Sequence, residues 1–243
     1  MIGAIAGDMI GSPYESRPVK TVAFPLAVDA FTDDTVLTVA VANAILRRTG
    51  YRSCIACFAR SFPNLPYGGS FWHWIWDPNS LPYYSFGNGS AMRVSPVGFA
   101  FESVDAVLHQ ARRSAEVSHN HPEGVKGAQA TALAVFLARK GEDKATIRKE
   151  IEARFGYCLE GSVEEIRSRY CFDVSCQGSV PESIIAFLEA HDYTSAVKNA
   201  ISLGGDADTM ACIAGGIAQA FYKKMPSDLV AQVRQRLPEV LLA

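Results

Sequence analysis

The 243-residue chain lacks any stretch able to cross a bilayer, because Gly, Asp or Arg breaks every apolar run well short of the ~20 residues a membrane helix needs. It also lacks a basic excess. With 23 Lys and Arg against 25 Asp and Glu the formal charge is −2. That leaves no electrostatic footprint for wrapping nucleic acid or an anionic membrane, so neither is expected as a partner. The opening MIGAIAGDMIGS has no basic segment and is interrupted by Asp8. No export signal is read there, and a cytoplasmic location is expected. No Pro/Ser/Gly-rich linker or charge block divides the chain, which predicts a single domain over 1–243. The cysteines are Cys54, Cys57, Cys158, Cys171, Cys176 and Cys212. They include one CxxC with no second pair to complete a zinc site. A core-rich chain of this size has no need of disulfides, so buried or partly buried free thiols are expected.

Strand-like alternation is scarce too, and helical periodicity fills most of the chain. Thr35 to Arg48 is apolar most of the way round, which predicts a deeply buried helix. Val104, Val107, Leu108, Ala111 and Ala115 form an i, i+3, i+4, i+7 stripe. Ala128 to Arg139 reads as a central helix and Lys144 to Phe155 as a surface one. Ser179 and Glu182 have the spacing of a capping box opening a helix from Val180 to Ala190, with Pro181 in its first turn. Asp192 is read as the cap of the next helix, Asp208 to Lys223 as another buried one, and Leu229, Val230, Val233 and Leu237 as lining a last one. The expected fold is all-α, with about ten helices. The exception is Phe62 to Phe101, rich in Gly, Pro and aromatics including Trp72, Trp74, Trp76, Tyr83, Tyr84 and Phe86. It reads as a long ordered loop, the kind that usually carries function, whose aromatics could stack on a planar ligand or simply pack the loop down.

Two acidic clusters carry the chemistry: Thr32-Asp33-Asp34-Thr35 and Gly205-Asp206-Ala207-Asp208-Thr209. Each opens an apolar helix. A lone Asp there is commonly a cap. Adjacent carboxylates repel one another unless a cation lies between them. Carboxylates beside hydroxyls, without Cys or His, suit hard divalent cations. Two such clusters predict one composite site for two Mg²⁺ or Mn²⁺ ions. Gly3, Gly7 and Gly11 share one face of an N-terminal helix, where another backbone could come close. Asp8 sits among them, either functional or simply buried and bonded to backbone. Ser12-Pro13-Tyr14-Glu15 reads as a helix-ending turn carrying a carboxylate. Ser85-Phe86-Gly87-Asn88-Gly89-Ser90-Ala91-Met92-Arg93 offers a glycine-rich turn able to cradle an anion, or a plain turn. Ser118-His119-Asn120-His121 reads either as a helix junction with exposed histidines or as a pair spaced to supply a transition-metal ligand, though no Cys partner or HExxH context supports zinc.

The segments GAIAGDMIGSPYE, FTDDT, YGGSFWHWI, SFGNGSAMRVSPVG, SHNHPEGVKGAQATA and ISLGGDADTMACIAGGIAQAFY together resemble the ADP-ribosylglycohydrolase family, in the family's order, over about residues 1–223. The resemblance implies an all-α, orthogonally packed fold with a binuclear Mg²⁺ or Mn²⁺ centre. By motif match the metal ligands are Thr32, Asp33, Asp34, Asp206, Asp208 and Thr209. Glu15 matches an acidic residue on a mobile loop, with a role in leaving-group assistance or gating. Ser85, Phe86, Gly87, Asn88, Gly89, Ser90 and Met92 match the loop that holds the diphosphate and stacks on adenine, Phe86 being the stacking residue. His119 matches a ligand-contacting histidine. The implied reaction is hydrolysis of the glycosidic bond at the distal ribose, releasing ADP-ribose from a protein side chain or small conjugate, with Asp33 or Asp34 accepting the proton of the attacking water. A catalytically silent ADP-ribose reader, or a structural protein on the same scaffold, is the competing class. A di-metal hydrolase of another nucleoside or phosphate ester is a third. The segment between Glu15 and Phe24 is short for the family, which leaves the acceptor side least transferable. Glycine-rich buried helices are consistent with a monomer.

Overall fold

Among the described residues of the computed structural model, 1–22 and 26–242, there are fifteen helical segments and no strand. They run α1 (Ile2–Glu15), α2 (Asp33–Leu46), α3 (Tyr51–Ser61), α4 (Gly69–Trp76) and α5 (Gly89–Met92). Next come α6 (Ser95–Ala100), α7 (Val104–Glu116), α8 (Pro122–Lys140), α9 (Lys144–Phe155) and α10 (Val163–Arg169). The chain closes with α11 (Cys176–Leu188), α12 (Tyr193–Ser202), α13 (Ala207–Tyr222), α14 (Ser227–Arg236) and α15 (Glu239–Leu242). The all-α expectation holds. Phe24, the far end of the short segment after Glu15, lies outside the described residues. No helix among the described residues is long and apolar enough to cross a membrane.

Helix α13 is the axis of the molecule. It touches α1, α2, α5, α6, α8, α11 and α12, and it is buried from Ala207 to Ala218. Its closest neighbour is α1, which runs antiparallel to it, and the glycine stripe explains how. A methyl group on Gly7 would sit 2.1 Å from the Ala211 carbonyl oxygen, and one on Gly11 would sit 2.5 Å from that of Ala207. Side chains at these positions would hold the two backbones apart. At the far end the Tyr193 hydroxyl donates to the Gly3 carbonyl at 2.7 Å, and the Gly3 N–H donates to Gln219 Oε1 at 2.7 Å.

Tertiary contacts overrule three local readings. The segment Ser12 to Glu15 continues α1 instead of ending it. Pro13 has no N–H for the Met9 carbonyl, but the Asp29 N–H donates to that carbonyl at 2.8 Å, so the helix passes the proline with its acceptor satisfied. Helix α11 starts at Cys176, capped by Ser175, which places Ser179 and Pro181 inside it. The start is set by pairing with a distant turn: the Cys176 N–H donates to the Phe86 carbonyl and the Asn88 N–H to the Val174 carbonyl, each at 2.8 Å. Finally, Phe62 to Phe101 contains α4, α5 and α6. Phe71, Trp74 and Ile75 give α4 a buried face, with Phe71 and Trp74 stacked at 5.3 Å. Trp74 is buried, Trp76 is half exposed, and none of the three tryptophans lines the cavity. All six cysteines are free, and Cys57, Cys158 and Cys171 are exposed, contrary to the burial expected of them.

The glycine stripe is directly testable. Gly7→Ala forces α1 and α13 apart and should cost at least ~1–3 kcal/mol in urea denaturation. This should outweigh the ~1 kcal/mol by which alanine exceeds glycine in helix propensity. A midpoint equal to wild type would mean that the two backbones are not in contact.

Candidate active site

Three helix ends meet at the floor of a cavity of about 540 Å³. The end of α1 brings Glu15, the start of α2 brings Asp33 and Asp34, and the start of α13 brings Asp206, Asp208 and Thr209. Carboxylate oxygens of Glu15, Asp206 and Asp208 lie within 4.8 Å of one another. The Thr209 hydroxyl donates to Asp34 Oδ1 at 3.4 Å, which ties the α13 cluster to the α2 cluster. The two acidic motifs, over 170 residues apart in sequence, therefore share one site.

Asp8 organises the start of α2. It is fully buried on α1. Its carboxylate accepts from the Thr32 N–H at 3.0 Å, the Thr32 hydroxyl at 2.8 Å, the Thr35 N–H at 3.1 Å and the Thr35 hydroxyl. It serves as a cap for α2 supplied from another helix. Thr32 Oγ1 in turn accepts from the Asp34 N–H at 3.2 Å. Thr32 does not line the cavity. On the α13 side, Gly204 adopts φ +71°, which an L side chain resists. The following turn leaves Asp206 at the cap position without a capping hydrogen bond, and its Oδ2 accepts from Asn88 Nδ2 at 2.7 Å.

Crowding these acids raises their proton affinity. Burial, opposed by the threonine hydrogen bonds, moves Asp8 up to about 6. Burial and the charge of Asp8 move Asp33 up to about 8. Asp34 rises well above the usual carboxylate range through burial and Asp208, and Asp208 through burial and Asp206. Glu15 rises for the same reasons, with Asp206 as its strongest neighbour. Asp34 Oδ2 is sealed from solvent and has no hydrogen-bond partner. An all-oxygen set of this density, with an orphaned carboxylate oxygen, fits hard divalent cations.

The opposite wall is the turn Ser85 to Met92. An antiparallel bridge between Gly87 and Ser175 holds it to the start of α11, and the Tyr84 N–H donates to Asn120 Oδ1 at 2.7 Å. Ser85, Phe86, Gly87, Asn88, Gly89, Met92 and His119 all line the cavity. Phe86 is 49% exposed, its ring edge-on to His121. Ser90 does not line it: its hydroxyl donates to the Gly124 carbonyl at 2.7 Å and pins the turn to α8. The histidines, expected exposed, divide. His119 is buried, and His121 Nδ1 accepts from the Glu123 N–H at 3.0 Å as the cap of α8. Sequence reasoning missed Val174 and Ser70 on the cavity wall. Val174 lies in no quoted motif and comes from the segment before α11, while Ser70, inside YGGSFWHWI, sits in the first turn of α4.

An all-helical fold whose central helix and glycine-striped partner deliver carboxylates to one cavity defines a class of acid-centred, all-α enzyme. The chain belongs to the ADP-ribosylglycohydrolase family, whose pattern matches residues 1–243. It is 28% identical to mouse ADP-ribosylhydrolase ARH3, over 91% of this chain and 82% of that protein, and 27% identical to the human protein, over 91% and 84%. It is 24% identical to the ADP-ribosylarginine hydrolase Tri1 of Pseudomonas putida, over 96% of this chain and 72% of the other. A solved structure described as an ADP-ribosylglycohydrolase-related protein complex shares the fold, with a TM-score of 0.73 at 22% identity and coverage of 97% and 96%.

The acid cluster sets a pH dependence. In metal-free protein the folded state keeps protons on Asp8, Asp33, Asp34 and Asp208 that the unfolded chain releases near 3.8. Stability therefore falls as pH rises through the folded values. His119 and the N-terminal amine, both lowered by burial, contribute the opposite slope but are outnumbered. The thermal midpoint in chelator should decline from pH 5 to 8, and Mg²⁺ added at pH 8 should restore it. A midpoint that rises over this range, or ignores Mg²⁺, contradicts the cluster as described.

Proposed function

We propose that the chain, acting as one domain, is a metal-dependent hydrolase that cleaves the glycosidic bond between ADP-ribose and a modified protein side chain or small acceptor. The carrying observation is the convergence of Glu15, Asp33, Asp34, Asp206 and Asp208 on a cavity walled by the Ser85 to Met92 turn. Asp33, Asp34, Asp206, Asp208 and Thr209, with Thr32 behind them, are the residues that would hold two divalent cations, Mg²⁺ or Mn²⁺. Bound there, the ions would supply the positive charge that keeps these carboxylates ionised and that orients ribose hydroxyls and a water. The resemblance to ARH3 and to an ADP-ribosylarginine hydrolase supports ADP-ribose as the leaving portion.

The remaining roles belong to the protein. Asp33 is the more accessible of the α2 pair and is the better placed to accept the proton of the attacking water. Asn88 holds Asp206 in place through its 2.7 Å hydrogen bond. Glu15, at the end of α1, is positioned to gate the floor or to assist the leaving group. Phe86 offers its ring to the adenine. Four amides of the turn are already committed, Gly87 N–H to Ser85 Oγ, Asn88 N–H to the Val174 carbonyl, and Ala91 and Met92 N–H to the Asn88 carbonyl, so diphosphate contacts fall to the rest of the turn and to His119.

The test is release of free ADP-ribose, with and without Mg²⁺, from arginine-linked protein, serine-linked protein, O-acetyl-ADP-ribose and ADP-ribosylated nucleic acid. Metal-dependent release from one substrate is expected, and Asp33→Asn or Asp208→Asn should abolish it while leaving the fold intact. Full activity in either variant would break the binuclear reading. Phe86→Ala should weaken ADP-ribose binding in calorimetry by ~1–3 kcal/mol, the range for base–aromatic stacking. Unchanged affinity would remove Phe86 from the adenine site.

A further inference from the structure

Arg93 heads the largest fully buried side chains among the described residues. Its Nε and Nη1 are sealed from solvent and have no hydrogen-bond partner. A buried guanidinium is normally paired with a carboxylate, and leaving its donors unmade costs stability. Here Nη2 alone donates, to the Ser114 carbonyl and to Ser118 Oγ, each at 2.9 Å, while the Phe71 ring lies 5.9 Å away. Arg93 borders the cavity, but its guanidinium is fully buried and its two hydrogen bonds run to neighbours, one of which leads on to the site.

Ser118 is that neighbour. A guanidinium can only donate, so the Arg93 bond uses a lone pair of Ser118 Oγ and leaves its single proton to be placed. His119 Nδ1 lies 2.8 Å from the same oxygen. An imidazole that accepts at Nδ1 carries its own proton on Nε2. Nε2 lies against the glycine turn: methyl groups built on Gly89 and Gly87 would sit 3.1 Å and 3.6 Å from it.

We infer that Arg93 is a positioning residue that, through Ser118, fixes His119 as the tautomer whose Nε2–H faces the Gly87–Gly89 turn. Burial and the charge of Arg93 hold the imidazole well below its ordinary pKa, so it stays neutral. A fixed neutral donor suits an acceptor-only phosphate oxygen, toward which the other tautomer would aim a lone pair. The identity of that acceptor rests on the diphosphate reading above, and the tautomer does not. Tyr83, whose phenol also hydrogen-bonds Ser118, competes for the serine proton, and success there would leave His119 with its proton on Nδ1.

Imidazole ¹⁵N–¹H correlation spectra of the labelled full chain, with the His119 signals assigned by their loss in His119→Gln, read the tautomer directly. Wild type is expected to show the proton on Nε2. Ser118→Ala and Arg93→Met should each shift His119 toward the Nδ1–H form, and Ser118→Ala should weaken ADP-ribose binding about tenfold, the scale of one lost hydrogen bond. Should Arg93→Met fail to fold, Ser118→Ala alone carries the comparison. A wild-type proton on Nδ1, or an unchanged Nε2–H in Ser118→Ala, overturns the relay. If the tautomer behaves as expected but wild type does not bind ADP-ribose, the relay stands and the ligand reading falls.

Discussion

The contact between α1 and α13, at a separation only glycine permits, is the constraint on which the site depends. Because the helices run antiparallel with backbones touching near Gly7 and Ala211, the end of α1 lies beside the start of α13. Glu15 thereby meets Asp206 and Asp208. The same rigid α1 carries Asp8 at its middle, which holds the first turn of α2 and so places Asp33 and Asp34. One helix thus sets the position of carboxylates from two others. Helix ends brought together by packed helices, instead of flexible loops, give the precision that a polar site needs.

This arrangement has an electrostatic cost that the fold does not offset by itself. Burial and mutual repulsion raise Asp33, Asp34 and Asp208 together, and no Lys or Arg side chain forms a salt bridge to any of them among the described residues. The nearby buried cation, Arg93, is turned toward Ser114 and Ser118. A site built this way favours whatever brings positive charge to it, whether protons or hard cations. The facing wall is built differently. The Ser85 to Met92 turn has local hydrogen bonds of its own and is tied down by long-range bonds to α8, α11 and Asp206. Its shape is therefore coupled to the acid floor through Asn88.

How far each element could be read depended on where its information lay. Helix α9 spans Lys144–Phe155 as its charged periodicity predicts, and Asp192 caps α12 as expected, because caps and amphipathic stripes are properties of neighbouring residues. The capping-box reading at Ser179 failed because Ser175, fixed by the Phe86 to Asn88 turn, offered an earlier start with its backbone groups already paired. Pro13 looked like a helix stop because the N–H replacing its own comes from Asp29. The aromatics of Phe62 to Phe101 could be read as ligand-stacking or as packing. The stacking of Trp74 on Phe71 decides for packing there, and only the tertiary structure brings the exposed rings of Tyr84 and Phe86 to the cavity.

By itself, the sequence determined the chemistry available: two carboxylate–hydroxyl clusters at helix starts, a glycine stripe, a glycine-rich turn, and the helical class. These follow from residue type and spacing within a few turns of chain. Tertiary structure alone decided that the two clusters share one floor, that Thr32 and Ser90 turn their hydroxyls inward, that Asp8 caps a helix other than its own, and that Arg93 bears on His119 through Ser118. Each of these depends on which distant backbone comes close, and that is settled by packing across the whole core.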